Sequence, residues 1–119
     1  MTRQKRGQES YARGLWAEFL CRLALRLAGY SIVVARYKTP QGEIDIVAAR
    51  GRALVFIEVK ARPDGESAAG AVSPRQQTRL FHAAHAFLAR FPQYAAHEAR
   101  FDVMLVLPYR WPIWHKNAF

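Results

Sequence analysis

The chain is poor in cysteine and in negative charge, and it has no long apolar run. Its one cysteine, Cys21, excludes an internal disulfide. It lies in an apolar stretch and is expected to be a small buried hydrophobe, as free cysteines commonly are. No run approaches the ~20 apolar residues that span a bilayer, so no membrane partner is expected and a cytoplasmic protein is the simplest reading. The opening MTRQKRGQES is basic but has no apolar segment, and is not expected to be a secretory leader. Nine acids stand against eighteen Lys and Arg, leaving a net charge of +9. Only Arg3, Lys5 and Arg6 crowd the terminus, so most of the excess lies on the domain itself. Such a field draws polyanions, nucleic acid or anionic lipid, or it serves solubility; charge alone does not choose among these.

What is present suits one domain. The 119 residues are 51% hydrophobic, enough for a core without staples. Residues 1–9 read as a flexible basic arm and residues 10–119 as a single domain. From Ser10, SYARGLWAEFLCRLALRLAGYS predicts a helix, with Trp16, Phe19, Leu20, Leu23 and Leu27 at helical spacing as its apolar face. Gly29 stands where a C-terminal cap is expected. YSIVVARYK is a β-branched run, and EIDIVAA and ALVFIEVKA alternate around RGR as a hairpin. RPDGESAAGAV is a long loop of the functional or mobile kind. SPRQ opens a second helix, Ser73 capping it, Pro74 in its first turn and Gln76 closing a capping box. Leu80, Ala84, Phe87 and Phe91 give that helix its apolar face, and Pro92 ends it. ARFDVMLVLP predicts a central strand, and the tail YRWPIWHKNAF a short edge strand. The order α-β-β-β-α-β implies an α/β fold, a mixed sheet flanked by helices.

The hairpin raises the chemical question. Buried strands do not want Asp45, Glu58 and Lys60. Residues two apart share a face, so Glu58 and Lys60 point together, and Glu43 and Asp45 point together, opposite Ile44 and Ile46. A turn at Gly51–Arg52 sets Asp45 across from Glu58 and Glu43 across from Lys60, with Cβ atoms ~5 Å apart. A one-residue slip would turn an apolar set outward. Two carboxylates that close repel unless one takes a proton or a cation intervenes. Mg²⁺ suits such a place, since it binds one or two carboxylates plus water and phosphate oxygens. A lysine beside it can orient a water or steady charge on phosphorus. These are the parts of phosphodiester hydrolysis; the other reading is a cross-strand salt-bridge cluster on a wet face.

GEIDIVA followed by VFIEVKAR resembles the PD-(D/E)xK signature of the restriction-endonuclease-like superfamily. More closely, the chain resembles the YraN family, a bacterial group placed in that superfamily. The likeness runs through Gly14, Ala17 and Glu18, then Gly29 and Tyr30, GEID, FIEVKAR, the Ser-Pro-Arg helix start, RFDVMLV and the final NAF. Archaeal Holliday-junction resolvases have a similar layout, with a glutamate on the first helix. The resemblance implies a restriction-endonuclease-like core of four strands. It implies that Asp45 and Glu58 bind Mg²⁺ or Mn²⁺, that Lys60 assists catalysis, and that Glu18 adds a ligand. Ile44 stands where the signature has proline, as is usual for YraN-like sequences, and Gln76 stands where many relatives have Lys. The junction-cutting enzymes, many of them dimers, leave a homodimer open.

Each smaller signal has two readings. Glu18 also pairs with Arg22 at i, i+4. Gln76 is a capping residue or a substrate contact; Glu43 supports the site or partners Lys60. His82 and His85 would need two further convergent ligands to hold zinc. Asp102 reads as a cap or salt bridge before a catalyst. Trp111, Trp114 and Phe119, beside Arg110 and Lys116, close the sheet edge or a dimer interface, or stack on unpaired bases. Arg50, Arg52 and Arg62 are the expected phosphate contacts, giving salt-dependent binding that tolerates sequence. The expected function is a metal-dependent endonuclease, on DNA before RNA, acting on branched or repair intermediates. The alternatives are a non-catalytic nucleic-acid-binding module and a docking subunit that uses the aromatic tail.

Overall fold

The computed structural model describes residues 3–63 and 72–119, with side chains from residue 14 onward. The order is α1 (Arg3–Leu27), β1 (Ser31–Thr39), β2 (Gly42–Arg50), β3 (Ala53–Ala61), α2 (Pro74–Arg90), β4 (Glu98–Val106) and β5 (Ile113–His115). The strands form one five-stranded sheet in sequence order. Only β3 and β4 are parallel, because α2 carries the chain back between them, as a parallel pair requires. The fold is therefore mixed α/β, with α1 on one face and α2 on the other. The tail supplies the expected short edge strand, β5, beside the four-stranded core that the resemblance implied.

Each face has its own core. On one, Ala17, Cys21, Ala24 and Leu25 pack on Ile46, Ala48, Val55, Ile57 and Met104. On the other, Leu80, Ala83, Ala84 and Phe87 pack on Ile44, Val47, Leu54 and Phe56. A fully buried Phe56 or Phe87 contributes roughly 1.5–3 kcal/mol from its removed apolar area. The α2 end forms as its residues dictate. Ser73 Oγ accepts from the Gln76 amide and Gln76 Oε1 accepts from the Ser73 amide, closing the capping box.

Two expectations are corrected here. Helix α1 starts at Arg3, before the expected Ser10. Its inner face is also not the bulky one. Trp16, Phe19 and Leu27 are exposed, whereas Ala17, Cys21 and Ala24 turn inward. Small side chains on the inner face let the helix lie close on the sheet, and the bulky residues alternate with them along the same turns. Cys21 is buried as expected, and burial, above all, pushes its thiol up to about 12. Most of the RPDGESAAGAV loop, residues 64–71, lies outside the described residues. No helix among the described residues is long and apolar enough to cross a membrane.

Candidate active site

The β2–β3 ladder has the expected register from Arg50↔Ala53 to Ile46↔Ile57 and stops there. Asp45 and Glu58 would be the next pair. Instead, Asp45 Oδ2 accepts the Val59 amide at 2.8 Å. A side chain thus takes the β3 donor beyond the last paired residues, and the strands part around it. The neighbouring strand β1 is irregular at the same level. Arg36 falls opposite Asp45, between the pairs Ala35↔Ile46 and Tyr37↔Ile44, and has φ +55°, a left-handed conformation that non-glycine residues seldom adopt. Alternation breaks at the same point: Ile44 packs on the α2 face and Ile46 on the α1 face. The expected sharing of one face by these isoleucines is therefore corrected, as is the expected pairing of Glu43 with Lys60.

The parted strands leave Asp45 between two small cavities. One, of about 200 Å³, is lined by Asp45, Glu43, Glu58, Gln76 and Arg79 on the α2 side. The other, of about 180 Å³, is lined by Asp45, Glu18, Arg36 and Val59 on the α1 side. Glu58 and Lys60 share the α2 face, as β alternation demands, and pair at 3.1 Å with side chains only 18% and 13% exposed. Lys60's partner is thus Glu58 rather than Glu43. Burial first, then the negative charge of Glu58, pushes the Asp45 carboxyl up to about 7; Glu18 and Glu43 add to this, and the Val59 amide opposes it. One ammonium therefore does not neutralise the carboxylates gathered here.

The remaining candidates divide. Glu18 comes close enough to raise Asp45, but on the α1 side, where Arg36 donates to its Oε2 at 3.0 and 2.6 Å. It does not line the cavity of Glu58. Gln76 does, while holding the α2 cap. Arg50 and Arg52 are at the hairpin turn, as expected, but far from the acids. They sit roughly 20 Å along β3 from Glu58 at the usual rise per residue, and the Arg50 guanidinium lies 5.8 Å from the Tyr30 ring centre. Arg62 follows β3 directly and is at the site's end of the strand. Asp102 is fully buried and structural, as expected: Arg100, the Trp114 indole and the Asn117 amide all donate to it. Trp114 and Phe119 are packed against the two cores, the structural reading of the tail. Among the described residues no three or more His, Cys, Asp or Glu side chains form a ready-made metal cage, which leaves His82 and His85 without a site.

Two residues at the site were not foreseen. Arg79 lines the Asp45–Glu58 cavity and donates to the Gln41 carbonyl at 3.3 Å. Its spacing of three from Gln76 on α2 was a usable signal. Gly42 permits this approach, since a Cβ there would meet the Arg79 carbonyl oxygen at 3.2 Å. Arg36 had no such signal, because its left-handed backbone and its partner on another element are tertiary facts.

The fold and site define a mixed α/β protein with a half-buried acid–lysine cluster at a gap in its sheet. The chain belongs to uncharacterised protein family UPF0102, the YraN family, whose model matches residues 17–106. It is similar to UPF0102 proteins of Parvibaculum lavamentivorans (55% identical, over 89% of this chain and 80% of that one), Chelativorans sp. (46%, over 94% and 90%) and Methylorubrum populi (44%, over 98% and 93%). The matched segment contains Glu18, Asp45, Glu58 and Lys60.

Proposed function

We propose that the protein is a Mg²⁺- or Mn²⁺-dependent endonuclease of the restriction-endonuclease-like kind, hydrolysing phosphodiester bonds in DNA within the cytoplasm. The observation that carries this reading is the opening of Asp45 and Glu58 onto one cavity beside the Glu58–Lys60 pair. The donor set fits a hard divalent ion, which takes one or two carboxylates and leaves its other positions to water and phosphate. Asp45 and Glu58 would hold the ion, and Glu18 would join them only on releasing Arg36. When bound, the ion would polarise a phosphoryl oxygen and acidify a water.

The chain's own groups do the rest. Asp45 is fixed by the Val59 amide, so one carboxylate oxygen is anchored and the other is left to face a ligand. Lys60 is held by Glu58 and would orient the attacking water or offset charge that grows on the phosphate oxygens. Arg79, Gln76 and Arg62 would contact the backbone of the substrate, which a +9 chain would attract.

Duplex, single-stranded and four-way-junction DNA, each with and without Mn²⁺, test this for the wild type and Lys60→Ala. Metal-dependent cutting that the variant loses supports the enzyme. Salt-sensitive binding by both forms, with no cutting by either, replaces it with a binding module. No binding at all points to a docking subunit.

A further inference from the structure

A second feature lies at the same end of the sheet. A groove of about 650 Å³ falls within the ~300–1,000 Å³ typical of ligand sites. Trp16 and Leu20 of α1 form one wall, Tyr109 and Trp111 of the β4–β5 connection the other, and Ala61 and Val106 the floor. Arg62 and Arg110 also line it, and no acid does among the described residues. Its apolar surface is not spent on the core: Trp16 is 59% exposed, Trp111 53%, and Tyr109 fully. Tyr109 is also held at φ +59°, a conformation that costs a non-glycine residue energy and places its ring in solvent. Ala61 lines both this groove and the α1-side cavity of Asp45 and Glu18, so the groove adjoins Asp45 on the α1 face, while Glu58 and Lys60 face the other side of the same sheet end.

We infer that this groove binds unpaired bases of a nucleic acid strand whose backbone passes the sheet end at Asp45. The inference rests on the nuclease reading and narrows its substrate to strands with unpaired nucleotides near the scissile phosphate. The occupant must be apolar, planar and attached to negative charge. Indole and phenol rings offer flat faces for stacking, and the two guanidinium groups suit the flanking phosphates. Lipid headgroups supply the charge without the ring. Duplex DNA supplies the charge but keeps its rings stacked inside, so it would meet the cations and not the aromatic walls.

The test is fluorescence anisotropy with the full chain in EDTA, comparing a short oligothymidylate with a blunt duplex. The variants are Trp111→Ala, Tyr109→Ala and Trp111→Phe, all at exposed positions, with urea melts to verify folding. Each alanine is expected to raise the Kd for the single strand by about tenfold and that for the duplex by less than about twofold, with phenylalanine retaining most of the affinity. Equal weakening of both ligands, or of neither, would overturn the inference. So would unchanged nucleic-acid binding with loss of self-association in sedimentation, which would make the groove an interface between copies. The two readings can fail separately. The predicted single-strand pattern without Mn²⁺-dependent cutting upholds the groove and sinks the nuclease; Mn²⁺-dependent cutting without that single-strand pattern does the reverse.

Discussion

Asp45 carries the largest conflict in the protein. It is a carboxylate in a gap between strands, next to Glu58, with one backbone amide to hold it. Its pKa rises from the usual 3.8 to about 7, so the folded state holds its proton more tightly than the unfolded one. The stability this gives is full below pH 3.8 and is lost as pH rises through about 7. Asp45→Asn keeps an oxygen for the Val59 amide and removes the charge. Between pH 5 and pH 8, urea unfolding without metal should show the wild type losing about 2–3 kcal/mol relative to this variant. Parallel stability curves would mean that Asp45 is solvated like any surface acid. Arg36 gives a second test. Both Arg36→Gly and Arg36→Ala release Glu18, but only glycine suits φ +55°, so the glycine variant should be more stable by about 1 kcal/mol in urea melts.

Helix α1 explains what could and could not be read from the sequence. Its bulky residues do recur at helical spacing, and so do its small ones. Hydrophobic periodicity does not register size, and a helix apolar on two sides has no single inward face to find. Phe19→Ala should therefore cost under about 1 kcal/mol, because the ring is 46% exposed, whereas Cys21→Leu should cost about 1–3 kcal/mol by overpacking. The reverse order in urea melts would restore the bulky face to the core. The strands were easier. Ile57, Val55 and Val47 alternate cleanly, and GR at the turn fixed the register from Arg50↔Ala53 to Ile46↔Ile57. Reading failed one pair later, where a side chain replaced the ladder. The Glu58–Lys60 pair stood out because an apolar strand had no other use for it. The separation of Glu18 from Glu58 did not, since it depends on Arg36 and on which face of the sheet α1 covers.

The molecule as a whole keeps its two polar clusters apart. The Arg100–Asp102–Tyr30 network ties β4 to the start of β1 with its partners satisfied, whereas the Asp45–Glu58 cluster gathers acids beside Lys60 and opens onto cavities. The first serves structure; on the proposed function, the second would take a ligand. On the proposed function, the net charge of +9 would draw a polyanion towards this cluster. Calorimetric titration of Mn²⁺ into the wild type, Asp45→Asn and Glu58→Gln at pH 8 tests the point most directly. Saturable heat with the wild type, lost in both variants while their melts remain cooperative, is the expected result. Equal binding by all three proteins, or none by the wild type, would contradict an ion held between these two carboxylates.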